Sequence, residues 1–290
     1  MTDYMKDNDK LYRYLFKDRG VRGEWVRLNK TFDETLNTHQ YPQPVQDLLG
    51  EMMVATALLT ATLKFKGNIT LQLQGDGPLS LAVVNGNDQQ QLRAVARLQG
   101  DIKNDVSLAE MIGKGVLVIT IAPQEGERYQ GIVELSRPTL TGCLEEYFKR
   151  SEQLETQLVI VTGEENGKPT AAGLLLQVMP DGTGTENDFE HLSTLAATAT
   201  KEEFFTLTAE ELLYRLFHEE TVEIYPAEEV TFFCGCSEER SGNALLMLGD
   251  DEIDKILAER NGAIDMQCEC CGKHYTFDKE KLTKMKGTVH

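Results

Sequence analysis

Six cysteines frame the chemistry open to this 290-residue chain: Cys143, Cys234, Cys236, Cys268, Cys270 and Cys271. Five of them lie in the last 57 residues. Phe233-Cys234-Gly235-Cys236 offers two thiols two residues apart, and Cys268-Glu269-Cys270-Cys271-Gly272 offers a Cys-x-x-Cys pair, with 31 residues between Cys236 and Cys268. A disulfide framework would be spread through a small secreted chain, whereas thiols gathered in one segment point to metal or redox chemistry. Two short hooks separated by a small helical insert can deliver four sulfurs to one tetrahedral Zn²⁺. Four thiolates leave no open coordination position, so such a site is structural or redox and not hydrolytic. Gly235 lets the first hook bend, and Gly272 permits the positive φ that a knuckle often needs.

The spacing favours Cys234, Cys236, Cys268 and Cys271 as the metal ligands, with Cys270 as the intervening residue pointing away. Pairing Cys268 with Cys270, or Cys270 with Cys271, fits a knuckle less well. His274 could substitute, but it precedes Tyr275-Thr276-Phe277, which reads as a strand leaving the knuckle, and it reads as a surface residue. Cys143 opens the helical stretch Leu144-Glu145-Glu146-Tyr147-Phe148 and reads as a small buried hydrophobe. No catalytic residues are assigned. The histidines His39, His191, His218, His274 and His290 fall in no catalytic pattern, and Gly75-Asp76-Gly77-Pro78 is a turn with no Lys-Ser or Lys-Thr after it. A thiol–disulfide oxidoreductase using Cys268 and Cys271 is the alternative reading. Such enzymes carry one Cys-x-x-Cys in a βαβ setting, and here the pair follows a helical spacer and is matched by a second pair.

The elements that must position these thiols divide the chain in three. The hydrophobic fraction of 41% supports a sizeable core and rules out wholesale disorder. The net charge is −18, and residues 181–230 alone hold 2 basic and 13 acidic side chains. A field of that sign disfavours nucleic acid and anionic membrane as partners. The locally basic tail Lys279-Glu280-Lys281-Leu282-Thr283-Lys284-Met285-Lys286 could suit a zinc-ribbon nucleic-acid module, yet residues 231–290 are net −3. The start, Met1-Thr2-Asp3-Tyr4-Met5-Lys6-Asp7, lacks the apolar core of a signal peptide, and Val54–Leu63 is too short to span a bilayer, so a cytoplasmic location is expected.

The fold class is α+β: an N-terminal antiparallel-sheet and helix domain (1–180), a helical acidic linker (181–230) and a small C-terminal zinc-binding domain (231–290). Gln46–Leu63 reads as a helix after Pro42 and Pro44. Strands are predicted over Ile69–Gln74, Leu79–Val84 (closed by Asn85-Gly86-Asn87), Gly115–Ile121, Tyr129–Leu135 and Leu174–Met179, with a helix over Leu144–Gln153. The linker opens on the breaker cluster Pro180-Asp181-Gly182-Thr183-Gly184-Thr185. Thr208-Ala209-Glu210-Glu211 fits a capping box, and Leu212, Leu213, Leu216 and Phe217 then form an apolar stripe. With Phe204 and Phe205 upstream, that stripe is expected to pack on the first domain, opposed by ordering entropy and by the segment's own net charge of −11.

The paired cysteines and their spacer resemble those of the redox-regulated heat-shock chaperones, the 33 kDa chaperonin family, and the resemblance covers nearly the whole chain. It is carried also by Arg13-Tyr14-Leu15-Phe16, Tyr41-Pro42-Gln43-Pro44-Val45 and Ala61-Thr62-Leu63-Lys64-Phe65. Gln72-Leu73-Gln74-Gly75-Asp76-Gly77-Pro78, Gly126-Glu127-Arg128-Tyr129-Gln130-Gly131 and Tyr147-Phe148-Lys149-Arg150-Ser151-Glu152-Gln153 match as well. The resemblance implies a cytoplasmic, ATP-independent holdase for unfolding client proteins, not an enzyme, inactive while reduced and zinc-bound. It implies that hypochlorous acid, or peroxide with heat, ejects the zinc and forms two disulfides, Cys234–Cys236 and Cys268–Cys271. The zinc domain and linker then unfold, and a monomer when reduced becomes a homodimer when oxidised. The physics agrees. Structural zinc contributes on the order of 10 kcal/mol to a small domain, and disulfides closing very short loops cannot replace it.

Overall fold

The computed structural model describes residues 6–63, 66–180 and 185–286. Residues 1–5, Lys64 and Phe65, the breaker residues 181–184 and His290 therefore lie outside the described residues. Contacts gather into two units, Met1–Phe233 and Cys234–His290.

The first unit opens with the hairpin β1 (Lys10–Phe16) and β2 (Val21–Leu28), then α1 (Lys30–Leu36) and α2 (Gln43–Thr62). Three strands follow, β3 (Gly67–Gly75), β4 (Leu79–Asn87) and β5 (Gln91–Leu98), then α3 (Leu108–Ile112), β6 (Gly115–Pro123), β7 (Tyr129–Glu134), α4 (Leu140–Tyr147), β8 (Thr156–Glu165) and β9 (Lys168–Val178). The acidic segment forms α5 (Glu186–Ala196), α6 (Lys201–Thr206) and α7 (Ala209–Phe217), and returns through the short strands β10 (Val222–Ile224), β11 (Glu228–Glu229) and β12 (Thr231–Phe232). One sheet runs β10-β1-β2-β9-β8 with β11 also on β1, and the other runs β12-β5-β4-β3-β6-β7. Every pairing is antiparallel except β12 on β5.

α2 packs against strands of both sheets, so it is buried on every side and must be apolar on every side. Pro44 sits in its first turn, where a missing N–H costs nothing. Its last carbonyls are taken by two strand arginines: Arg13 Nε donates to Ala61 O at 3.0 Å and Arg22 Nη1 to Thr62 O at 3.3 Å. The opposite face of the first sheet carries a second core, formed with α5–α7. β9 therefore has both faces covered. Ala171 and Leu175 belong to the core around α2, and Ala172, Leu174 and Leu176 to the core under the acidic helices.

Several elements differ from the sequence reading. Asn85-Gly86-Asn87 does not close β4 but continues it, because Gly86 lies where α2 comes close: a Cβ there would sit 2.8 Å from Thr56 Cγ2. The helix read as Leu144–Gln153 begins earlier, at Leu140, with the Thr139 hydroxyl accepting from Gly142 N, so Cys143 lies within it and not at its start. Its end widens into a π-helical turn, Phe148–Glu152, closed by Gln153 at φ 56°. β1, β2, β5 and β8 are further strands that the sequence reading leaves unassigned.

The second unit comprises α8 (Glu238–Leu246), α9 (Asp250–Glu259), the hairpin β13 (Ala263–Gln267) and β14 (His274–Asp278), and α10 (Lys279–Lys286). Its core is thin, with seven buried apolar side chains among the described residues, Phe277 fully buried among them.

Candidate functional site

The two thiol hooks are held by local hydrogen bonding in the second unit. Arg240 Nη1 donates to Gly235 O at 2.7 Å, fixing the first hook to α8, which Ser237 caps by accepting from Arg240 N. Gly235 bends the chain without a positive φ, whereas Gly272 takes φ +69°. The second hook is the turn between β13 and β14, where Cys268 N donates to Lys273 O at 2.9 Å and Gly272 N to Cys268 O at 2.8 Å.

These turns bring the sulfurs of Cys234, Cys236, Cys268 and Cys271 together, all within 4.8 Å of one another, the one such cluster of metal-ligand atoms among the described residues. Across the hooks, Cys234 Sγ lies 3.5 Å from Cys268 Sγ and Cys236 Sγ lies 3.4 Å from Cys271 Sγ. A tetrahedron with about 2.3 Å from metal to sulfur has edges of about 3.8 Å. Four soft donors at this spacing fit a zinc ion, and the cluster could hold a metal. Cys270 is half-buried and outside the four, and Cys143 is buried in α4, its Sγ 3.5 Å from Arg137 O. His274 is exposed, with Nδ1 2.7 Å from an oxygen of Asp265.

Tyr275 is a member of this site that the spacing of cysteines does not reveal. Its hydroxyl lies 3.2 Å from Cys236 Sγ. Burial pushes the Cys236 thiol up, but hydrogen bonds from Tyr275 and the neighbouring thiols outweigh it and bring the group down to about 7. Burial pushes Cys234 and Cys271 upward, and the bond to Cys236 raises Tyr275 to about 12. One thiolate is thus favoured even before a cation adds its charge.

The acidic segment is held on the first sheet by apolar burial and by ion pairs. Phe204, Leu212, Leu213, Leu216 and Phe217 are all buried, against Tyr14, Phe16, Trp25, Leu174 and Leu176. α5, α6 and α7 each begin with a capping box, at Thr185/Asp188, Thr200/Glu203 and Thr208/Glu211. Cations of the first hairpin neutralise part of the charge. Arg19 reaches Asp188 at 2.5 Å and takes Glu220 with two nitrogens, Lys17 pairs with Glu223 at 2.7 Å, and Arg13 pairs with Glu228. Arg27 is fully buried beneath the helices. Its Nε donates to Phe204 O at 2.8 Å, Nη2 donates to Leu207 O, and its guanidinium lies 5.1 Å over the Trp25 ring. Asp7 accepts from Ala209 N at 2.7 Å at the start of α7. Neither Arg27, one of three charged residues in β2, nor Asp7 is marked by a local signal.

No helix among the described residues is long and apolar enough to cross a membrane. The comparisons place this two-unit α+β chain with four clustered thiols among the heat-shock chaperones. The family model described as "Hsp33 protein" matches residues 9–278. The 33 kDa chaperonin of Haemophilus influenzae (strain PittEE) is 72% identical over 99% of this chain and 98% of its own, and that of Pasteurella multocida (strain Pm70) is 69% identical over 99% of each. A crystal structure of the 33 kDa chaperonin of Thermotoga maritima shares the fold, with TM-score 0.83 at 24% identity over 97% of this chain and 99% of that one. The chain belongs to the Hsp33 family.

Proposed function

We propose that this chaperone is an ATP-independent holdase switched by oxidation, cytoplasmic and without catalytic turnover, which binds unfolding proteins and prevents their aggregation. The observation that carries the reading is the convergence of four thiols on a unit whose own core is seven buried apolar side chains. Cys234, Cys236, Cys268 and Cys271 hold one Zn²⁺ in the reduced state, and Cys143 and Cys270 do not. Zn²⁺ bound there supplies a cross-link between the hooks that a core this small cannot replace.

Oxidation removes that cross-link. Two thiolates and one hypochlorous acid, with one proton, give one disulfide, chloride and water. We assign the pairs Cys234–Cys236 and Cys268–Cys271. The pairing decides the outcome. Bonds within a hook close very short loops and leave the hooks unlinked, whereas bonds across the hooks, where sulfurs lie 3.4–3.5 Å apart, would close loops of 34 and 35 residues and keep the unit folded. Loss of the C-terminal domain (231–290) frees the chain just beyond the acidic linker (181–230). Undocking of the linker uncovers the sheet face of the N-terminal domain (1–180) around Tyr14, Phe16 and Trp25, which takes up clients. The reduced form is a monomer and the oxidised form a dimer. Nucleic acid and membrane are not partners, a reading supported by the pairing of α10 lysines with acids, Lys279 with Asp254 and Lys281 with Glu238.

Zinc content and free-thiol count before and after hypochlorous acid, read beside suppression of client aggregation, test this. Aggregation suppression must appear with loss of one zinc and four thiols, and peptide mapping must return within-hook disulfides. Suppression without zinc loss, or turnover of a disulfide substrate as the oxidoreductase alternative requires, would overturn it.

A further inference from the structure

The second sheet has an outer face that none of the three apolar cores absorbs. Along β3–β7 the side chains alternate. Leu71, Ala82, Ala94, Leu117 and Val133 turn to the core around α2, and their neighbours turn away from it. An antiparallel sheet carries polar side chains on a solvated face. Here Leu81, Val83, Val95, Val116, Val118 and Ile132 turn outward, and they belong to none of the cores.

Strand register sorts this face into three rows. The middle row runs Val95–Val83–Gln72–Val118–Ile132 from β5 to β7. On one side of it lies Arg97–Leu81–Gln74–Val116–Glu134, and on the other Arg93–Asn85–Thr70–Thr120–Gln130. The last row is tied by its own side chains. Arg93 Nε donates to Asn85 Oδ1 at 3.1 Å, Asn85 Nδ2 to Thr70 Oγ1 at 2.7 Å, and Gln130 Nε2 to Thr120 Oγ1 at 3.0 Å. In apolar character the first two rows read alike from either end, with Gln72 and Gln74 at their centres. In charge the face is opposed across its width, with Arg93 and Arg97 on β5 and Glu134 on β7.

Such a pattern is complementary to itself. A second copy turned about a two-fold axis that lies over β3 and parallel to it sets β5 on the partner's β7 and β4 on the partner's β6. Val83 and Val95 then face the partner's Val118 and Ile132, and Arg97 faces the partner's Glu134, twice in each dimer. An axis across the strands sets Arg97 on the partner's Arg93 and Leu81 on the partner's Asn85, which wastes both kinds of match. The parallel axis also suits stacked sheets, whose strands keep within about 30° of each other.

We propose that this face is the contact between two copies of the chain in the oxidised dimer, centred on Gln72 and closed at its edges by Arg97 and the partner's Glu134. The assignment rests on the oxidised dimer of the holdase reading. The face is built wholly from the first unit and lies on a different sheet from the one under the acidic helices, so a second copy and a client occupy separate surfaces.

Arg97→Glu and Glu134→Arg, each in the full chain, place like charges at both edge contacts. After hypochlorous acid, sedimentation equilibrium should give either variant alone a dimer dissociation constant at least about tenfold above the parent's. Mixed in equal parts before oxidation, the two should form a heterodimer within about threefold of parental affinity, because both contacts are again opposite in sign. Native mass spectrometry counts it against the homodimers, and the mixture is its own folding control, since a misfolded variant restores no partner. Benzoylphenylalanine in place of Val118 should crosslink the oxidised dimer at Val83 or Val95 of the other copy. Parental affinity in either variant alone, no preference for the heterodimer, or crosslinks joining the two β7 strands would each overturn the interface. An oxidised parent that stays monomeric overturns the dimer itself, and that result is read before any variant is compared.

Discussion

Arg27→Met isolates the polar anchor of the acidic helices. The substitution keeps an apolar stem of similar length but removes the donors that reach Phe204 O and Leu207 O and the contact with the Trp25 ring. Each buried carbonyl left without its donor costs about 1–3 kcal/mol, so two cost roughly 2–6. The guanidinium no longer has to be desolvated in a fully buried site, which returns part of that sum. A net loosening of about 2–4 kcal/mol follows, equivalent to roughly 30- to 1,000-fold faster hydrogen exchange wherever opening of the segment controls exchange. Native-state exchange read by mass spectrometry should show this across residues 201–217 while β3, β4 and β6 keep their protection. The variant should also bind unfolded client at lower temperature while reduced and zinc-loaded. Exchange in α6 and α7 within threefold of the parent would refute the anchoring role, because no other change at Arg27 spares those carbonyls.

Leu213→Ser or Phe217→Ser removes about 1.5–3 kcal/mol of apolar burial from the same docking and should give a reduced, zinc-loaded protein that already suppresses client aggregation; inactivity in that state would count against docking as the gate. Cys268→Ser should lower zinc from one per chain to none and melt residues 234–286 by near-ultraviolet dichroism, whereas Cys270→Ser and Cys143→Ser should each retain one zinc, as atomic absorption would read. Burial raises the Glu24 carboxyl from the ordinary 4.5 to about 7, the arginines Arg22 and Arg13 pulling the other way. The folded state therefore holds a proton that the unfolded chain releases between pH 4.5 and 7, and stability falls as pH rises through that window, by about 3 kcal/mol at most. Glu24→Gln should flatten this slope and raise the denaturation midpoint at pH 8; an unchanged slope would remove Glu24 as its source.

The thiol hooks were legible because ligand spacing is local, and so was the α7 box, where Thr208 and Glu211 sit three residues apart. The strands β1 and β2 were not, because their inward positions carry Arg13 and Arg22, which serve the end of α2, and the buried Glu24, and these charges break the apolar alternation. The first half of β9 was hidden for a different reason. Ala171, Ala172 and Gly173 are small because helices approach both faces, so a fully buried stretch has little hydropathy signal. Gly86 has the same origin, and its flanking asparagines imitate a turn. The row Val95–Val83–Gln72–Val118–Ile132 joins residues of five strands through their register, a relation no periodicity encodes.

The three successive capping boxes also bear on how the acidic segment would re-form after the release proposed above. Each ties a helix start to a residue only three positions on, so the nucleating turns of α5, α6 and α7 form without any distant partner. Helices of 11, 6 and 9 residues are too short to persist alone, yet their formation takes roughly a microsecond. If the segment is released as proposed, the long-range step of its return is the pairing of β10 with β1, which closes the loop running from Val178 at the end of β9 to Val222. A released segment of this kind keeps flickering through helical forms, and its relaxation time is set by closing one long loop and not by rebuilding its helices.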